Sequence, residues 1–135
     1  MDLKTTYMGI ELKNPLVAAA SPLSRDADGI RALEDAGVGA MVMFSIFEEQ
    51  VRKEDDAVDY LAHAGDYSSP ETLSFFPQTF DYAMGPDRYL ELVAKAVETA
   101  EVPIIGSLNG VSKAGWVDYA KRLEETGVKG IELNA

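Results

Sequence analysis

Apolar positions along this chain follow two alternating periods. Short runs such as Leu16–Ala20, Ala40–Phe44, Pro103–Leu108 and Gly130–Asn134 are nearly continuous in apolar or small residues, the pattern of strands buried on both faces. Between them lie segments with apolar residues three and four apart. Ile30, Leu33 and Ala36 share one face of a helix starting near Asp26; Leu90, Val93, Ala96 and Val97 share one over 87–100; Trp116, Ala120 and Leu123 share one over 113–126. One junction occurs twice. Leu33-Glu34-Asp35-Ala36-Gly37-Val38 and Leu123-Glu124-Glu125-Thr126-Gly127-Val128 each end a helix, turn on glycine and enter a strand. Glycine just past a helix accepts the left-handed backbone that closes the last turn. Residues 4–8 and 10–13 alternate around Gly9 and predict a hairpin before the first core strand.

Strand, helix, glycine, strand in repetition predicts a parallel sheet covered by helices. Four such strands with outer helices and an N-terminal β-hairpin make the first half of an α/β (β/α)8 barrel. On this pattern residues 1–135 form the N-terminal half of a single TIM-barrel domain, ending after strand four; a complete small doubly wound domain is the rival. Residues 47–64 predict a charged helix, and Pro70 to Pro86 a loop containing Phe75, Phe76, Phe80 and Tyr82, a candidate pocket lining or loop anchor.

Composition narrows the function classes. The 135 residues are 47% apolar, with a net charge of −11 and no cysteine. The charge disfavours nucleic acid and anionic lipid as partners. Absent cysteine excludes disulfides and thiolate metal sites and fits a cytoplasmic protein. The start lacks a basic, then apolar, leader. His63 reads as a helix-end residue, and Glu48, Glu49, Glu54, Asp55 and Asp56, interleaved with Arg52 and Lys53, as a solvated face rather than a metal site. Asn109-Gly110-Val111-Ser112 reads as a capped turn.

In parallel α/β folds ligands sit at the carboxyl ends of the strands. Those ends carry Ser21, Ser45, Ser107 with Asn109, and Asn134. Each alone suits a helix cap; together they suit a platform for a polar, planar ligand. None forms a nucleophile–base pair, which points to a cofactor performing the chemistry. Glu132 lies two residues before Asn134 and shares its face, one layer below.

The stretch Asn14-Pro15-Leu16-Val17-Ala18-Ala19-Ala20-Ser21 and the closing Ile131-Glu132-Leu133-Asn134 resemble the dihydroorotate dehydrogenase family. Ser21-Pro22-Leu23-Ser24-Arg25 and Leu108-Asn109-Gly110-Val111-Ser112 look most like a dihydroorotate dehydrogenase-like bacterial branch. The resemblance spans the chain but only the first half of the family fold. It implies an FMN-dependent oxidoreductase acting on dihydroorotate or a similar dihydropyrimidine in pyrimidine biosynthesis. It also implies cofactor contacts from Ala20, Ser21, Ser45, Ser107 and Asn134, and substrate contacts from Asn134, Met84 and Gly85. The family's base and flavin-phosphate site would fall past Ala135, so no catalytic residue and no metal ligand is assigned, and this half is expected to be inactive alone, with self-association open. Two positions depart from the family. Phe44 stands where a lysine reaches flavin and substrate, leaving a ring that could pack on the flavin instead; Tyr82 stands in place of a substrate asparagine. A flavin-free lyase or isomerase, using Glu132 as its acid, and a non-catalytic half-barrel are the alternatives.

Overall fold

The computed structural model describes residues 2–47, 86–110 and 113–134, with side chains from residue 117 onward in the last stretch. The expected helix over 47–64 lies outside these residues from position 48 onward, and its first residue, Phe47, is strand instead; His63, the acidic cluster, the aromatic loop, Met84 and Gly85 also lie outside. Trp116 is described in its backbone only.

Strands β1 (Thr5–Tyr7) and β2 (Ile10–Leu12) pair antiparallel as a hairpin. The turn places Met8 at φ 51° and Gly9 at φ 77°. Strand β3 (Val17–Ala18) follows, then a 3-10 turn (Pro22–Ser24) and helix α1 (Ala27–Asp35). Asp26 caps α1 by accepting from the Gly29 amide at 2.8 Å, satisfying one of the donors a helix start leaves open. Strands β4 (Ala40–Val42) and β5 (Ile46–Phe47) come next. After residue 85 the chain continues with α2 (Pro86–Thr99), β6 (Ile104–Asn109), α3 (Lys113–Glu125) and β7 (Gly130–Asn134).

Among the described residues, all sheet pairings beyond the hairpin are parallel: β3 on β4, β4 and β5 on β6, β6 on β7. With β4 and β5 lying end to end along one edge of β6, the parallel strands lie side by side in the order they occur in the chain. A doubly wound sheet reverses its order partway, whereas a barrel wall does not. The described residues form an α/β unit with the winding of part of a TIM barrel and an N-terminal hairpin. None of their helices is long and apolar enough to cross a membrane.

The repeated junction behaves alike in both copies. Gly37 sits at φ 89° and Gly127 at φ 86°, and their amides donate to Glu34 and Glu124 carbonyls at 2.8 and 3.0 Å. Side-chain clamps then fix where strands start. The Asn14 amide donates to the Gly37 carbonyl at 2.8 Å while its oxygen accepts from the Leu16 amide at 3.0 Å, joining the entrance of β3 to the α1–β4 turn. The Glu34 carboxylate accepts from the amide of Val102 at 3.2 Å and also from that of Glu101, just before β6.

One face of the sheet carries Met41, Met43, Ile104 and Leu108 against Val93 and Ala96 of α2 and Leu123 of α3, the main core. The α2 and α3 helices are tied to each other by the Tyr119 hydroxyl donating to the Pro86 carbonyl at 3.0 Å and by the Arg122–Asp87 ion pair. The opposite face, with Val42, Ile105 and Glu132, borders a cavity of about 500 Å³ whose far wall includes Tyr7 and Met8 of the hairpin. Met8 Cε approaches to 3.0 Å of where a side chain on Gly130 would begin. The hairpin thus packs toward the amino-terminal end of the strands and leaves their carboxyl ends uncovered by it.

Gly39 makes a tight backbone approach beside the Asn14 clamp: a Cβ there would lie 2.2 Å from the Asn14 carbonyl oxygen. Gly39→Ala is expected to cost about 1–3 kcal/mol of stability in chemical denaturation, because the neighbour is backbone and cannot swing aside.

Candidate functional site

The second strand was expected to run unbroken over 40–44. The structure corrects this. Val42 pairs with Ile105 and Ile46 with Leu108, so four steps along one strand match three along the other. Met43 still donates to Ile105 in the ladder at 2.8 Å, and Ser45 stands level with Ser107, so Phe44 is the extra residue of a β-bulge. Bulges re-aim side chains by breaking the two-residue alternation. Without it, residue 44 would face the cavity side and residue 45 the helices. With it, Ser45 turns inward and Phe44 turns to the helix layer.

The bulge leaves backbone groups without ladder partners, and side chains take them. Phe44 N–H donates to the Ser24 hydroxyl at 2.8 Å, and that hydroxyl donates to the Ser21 carbonyl at 3.1 Å. On the β6 side, Ser107 N–H donates to the Tyr89 hydroxyl at 3.3 Å and the same hydroxyl donates to the Ser107 carbonyl at 3.1 Å. Tyr89 and Ser24 are both fully buried. The Phe44 ring meets the Tyr89 ring edge-on, 5.0 Å between centroids at 89°, and the Arg25 guanidinium lies 5.5 Å from its centre. Packing of Phe44 on a ligand in the cavity, the expectation for its ring, is therefore replaced by packing on the core.

Ser45, Ser107 and Asn134 come together on the inner face, joined by Glu132. Ser107, with no exposed surface, donates to Glu132 Oε1 at 3.0 Å and contacts Ser45 Oγ at 2.8 Å. Asn134 Nδ2 donates to Glu132 Oε1 at 3.3 Å and, at a long 3.5 Å, to Ser107 Oγ. The register explains the grouping: Ser107 pairs with Glu132 and Asn109 with Asn134, and paired residues of parallel neighbours share a face. Ser21 begins the 3-10 turn, and its side chain makes no capping bond, so the hydroxyl is not consumed there. Ala20 precedes it, half-buried at the carboxyl end of the first core strand. Asn109 Oδ1 is buried and meets no donor among the described residues. No group of acidic or histidine side chains among those residues could hold a metal ion.

Two residues that the helical and strand patterns did not single out prove essential here. Tyr89 occupies a position on α2 beside the expected apolar face, and nothing local marks its hydroxyl as a backbone partner. Ser24 reads as an ordinary loop serine. Both acquire their roles from the bulge.

Burial pushes the Tyr89 phenol up to about 12; the Ser107 backbone bond opposes this shift and the Glu132 charge adds to it. A raised folded-state pKa stabilises the fold fully below the unfolded value of 10 and loses that contribution as pH climbs through about 12. Unfolding free energy is therefore expected to fall by about 1–3 kcal/mol over that window in alkaline denaturation, and Tyr89→Phe is expected to lack this component. At neutral pH the same substitution strands the Ser107 N–H and C=O, at a cost of about 1–3 kcal/mol.

No family model matches the chain. A putative dihydroorotate dehydrogenase A (fumarate) of Aeropyrum pernix is 29% identical over 133 residues, covering 98% of this chain and 40% of that protein. The catalytic subunit of a dihydroorotate dehydrogenase B (NAD(+)) of Thermoplasma acidophilum is 27% identical over 137 residues, covering 98% of this chain and 41% of that protein. The chain thus spans about two fifths of the length of these curated relatives. Over nearly its whole length, then, the chain is similar to the first two fifths or so of two curated dihydroorotate dehydrogenases.

Proposed function

We propose that this chain contributes the first strands of an FMN-dependent oxidoreductase that oxidises dihydroorotate or a similar dihydropyrimidine. The observation that carries the reading is the polar cluster of Ser45, Ser107, Glu132 and Asn134 on the inner side of the sheet, in a chain similar to dihydroorotate dehydrogenases. A flat, polar cofactor suits these residues. Ala19, on the cavity wall, and Ala20 have side chains short enough to admit a ring edge. Ser45 retains acceptor capacity, and the buried Asn109 oxygen needs a donor.

In this reading FMN, when bound, supplies the acceptor for a hydride equivalent. Ala20 and Ser21 would border it from the first core strand. Ser45 and Asn134 would hydrogen-bond it directly, and Asn134, at the open rim, would also touch the substrate. Ser107 would act by fixing Ser45 and Asn134, because its own capacity is filled. Met84 and Gly85 are the remaining proposed substrate contacts. These residues bind and orient; none of them is a base. The flavin-free lyase or isomerase reading has one acid to work with, Glu132, which is already engaged by Ser107 and Asn134.

Because the chain aligns with two fifths of its relatives, it is expected to bind flavin without turning over dihydroorotate by itself. FMN titrated into the protein should show saturable quenching of flavin fluorescence. Asn134→Ala should weaken binding by about tenfold or more, the scale of one good hydrogen bond. Fluorescence unchanged by added protein, together with an unshifted melting temperature, would remove the reading that these strand-end residues bind flavin in this chain by itself.

A further inference from the structure

The proton arrangement in the Glu132 cluster can be worked out from its acceptors. A carboxylate accepts only. Ser107 must therefore spend its one proton on Glu132, at 3.0 Å. The 2.8 Å contact between Ser45 and Ser107 then has a single solution, with Ser45 donating. The Asn134 amide, facing the same carboxylate, must turn its nitrogen inward, and its protons go to Glu132 and Ser107. Every donor of the cluster points at Glu132 or at Ser107. What remains unused in the cluster is acceptor capacity: the lone pairs of Ser45 Oγ, the Oδ1 of the exposed Asn134 and the second carboxylate oxygen of Glu132, the member that lines the cavity. Asn109, level with Asn134 on the same face, adds a buried Oδ1 that meets no donor among the described residues.

We infer that Glu132 is a positioning residue that polarises this wall into an array of acceptors, so that the wall selects ring systems presenting N–H groups over their N-substituted or purely carbonyl-bearing analogues. The chemical class is the cyclic imide or ureide, which occurs both in a flavin ring and in a pyrimidine ring. This rests on the flavin–dihydropyrimidine reading for the identity of its ligands, but not for the polarity itself. Neutral serine and asparagine side chains without Glu132 could present either sense. With it, reversing any one bond would oppose a carboxylate to a lone pair, which is why one carboxylate two residues from the rim can set the preference of side chains that touch the ligand.

The test compares N–H and N-methyl forms of two probes: FMN with 3-methyl-FMN by fluorescence quenching, and orotate with 3-methylorotate by calorimetry. In the unmodified protein, methylation is expected to weaken binding by about tenfold or more in at least one arm, because a wall built to accept a proton is left facing a methyl group. Glu132→Gln should shrink that discrimination below about threefold, since a glutamine can donate to Ser107 and let Ser45 and Asn134 reverse. Ser45→Ala, which leaves Glu132 in place, should weaken the N–H form by about tenfold and the methyl form hardly at all. Melting curves and far-ultraviolet dichroism establish that both variants are folded; if Glu132→Gln is not, Ser45→Ala decides the matter alone. Loss of binding in the flavin arm alone, with discrimination kept for orotate, sinks the FMN assignment and leaves the acceptor wall standing. Flavin and orotate binding with no penalty for methylation, or an equal penalty with and without Glu132, overturns the acceptor wall and leaves the flavin reading intact. Silence in both arms overturns both.

Discussion

A single extra residue in the second core strand governs the region around the candidate site. Inserting Phe44 between positions paired with Gly106 and Ser107 breaks the alternation that would otherwise send residue 45 toward the helices. Ser45 gains the inner face and a partner in Ser107; Phe44 gains an edge-on contact with Tyr89 and a place under Arg25. The insertion also opens the backbone ladder, and an open ladder inside a protein is costly unless something else supplies donors and acceptors. Ser24 and Tyr89 do so. The bulge, the two hydroxyls that mend it and the polar cluster are one assembly, held from behind by the α2 helix and from the side by the turn after β3.

That assembly divides labour between two kinds of polar residue. Tyr89 and Ser24 are buried and satisfied by backbone, so they set geometry and take no part in contacts with a ligand. Ser45 and Asn134 lie nearer the surface and keep unused capacity. Ser107 and Glu132 connect the two groups: Ser107 is bonded to Tyr89 through its backbone and to Ser45, Glu132 and Asn134 through its hydroxyl. Rigid support behind adaptable contact atoms is what a site needs if it is to hold a ring in one orientation, since a side chain whose own partners are fixed loses little freedom on binding.

Much of the fold was legible in the residues. The paired Leu-Glu-x-x-Gly junctions announced two helix ends, and both glycines do adopt positive φ. Gly130–Asn134 is a strand over the range its composition suggests, and Leu123 is buried as its spacing requires. That Ser45, Ser107 and Asn134 sit near the carboxyl ends of neighbouring strands was readable from the parallel strand order, and the Glu132–Asn134 spacing was readable because side chains two apart share a face; that Ser21 stays outside their hydrogen-bonded group was not. The bulge was not readable. Ala40-Met41-Val42-Met43-Phe44-Ser45-Ile46-Phe47 contains no glycine or proline to mark an interruption, and an apolar run looks the same whether or not one residue is extra.

Sequence alone determined the parallel order of strand and helix, the glycine turns between them and the family likeness, because each depends on local backbone preference and short-range periodicity. Tertiary structure alone decided that Phe44 faces the core and Ser45 the face shared by Ser107 and Glu132, that a tyrosine from the following helix completes the broken ladder, and that Glu132 collects the protons of Ser107 and Asn134. Those outcomes depend on register between strands far apart in the chain, and register is a property of pairs that no single segment contains.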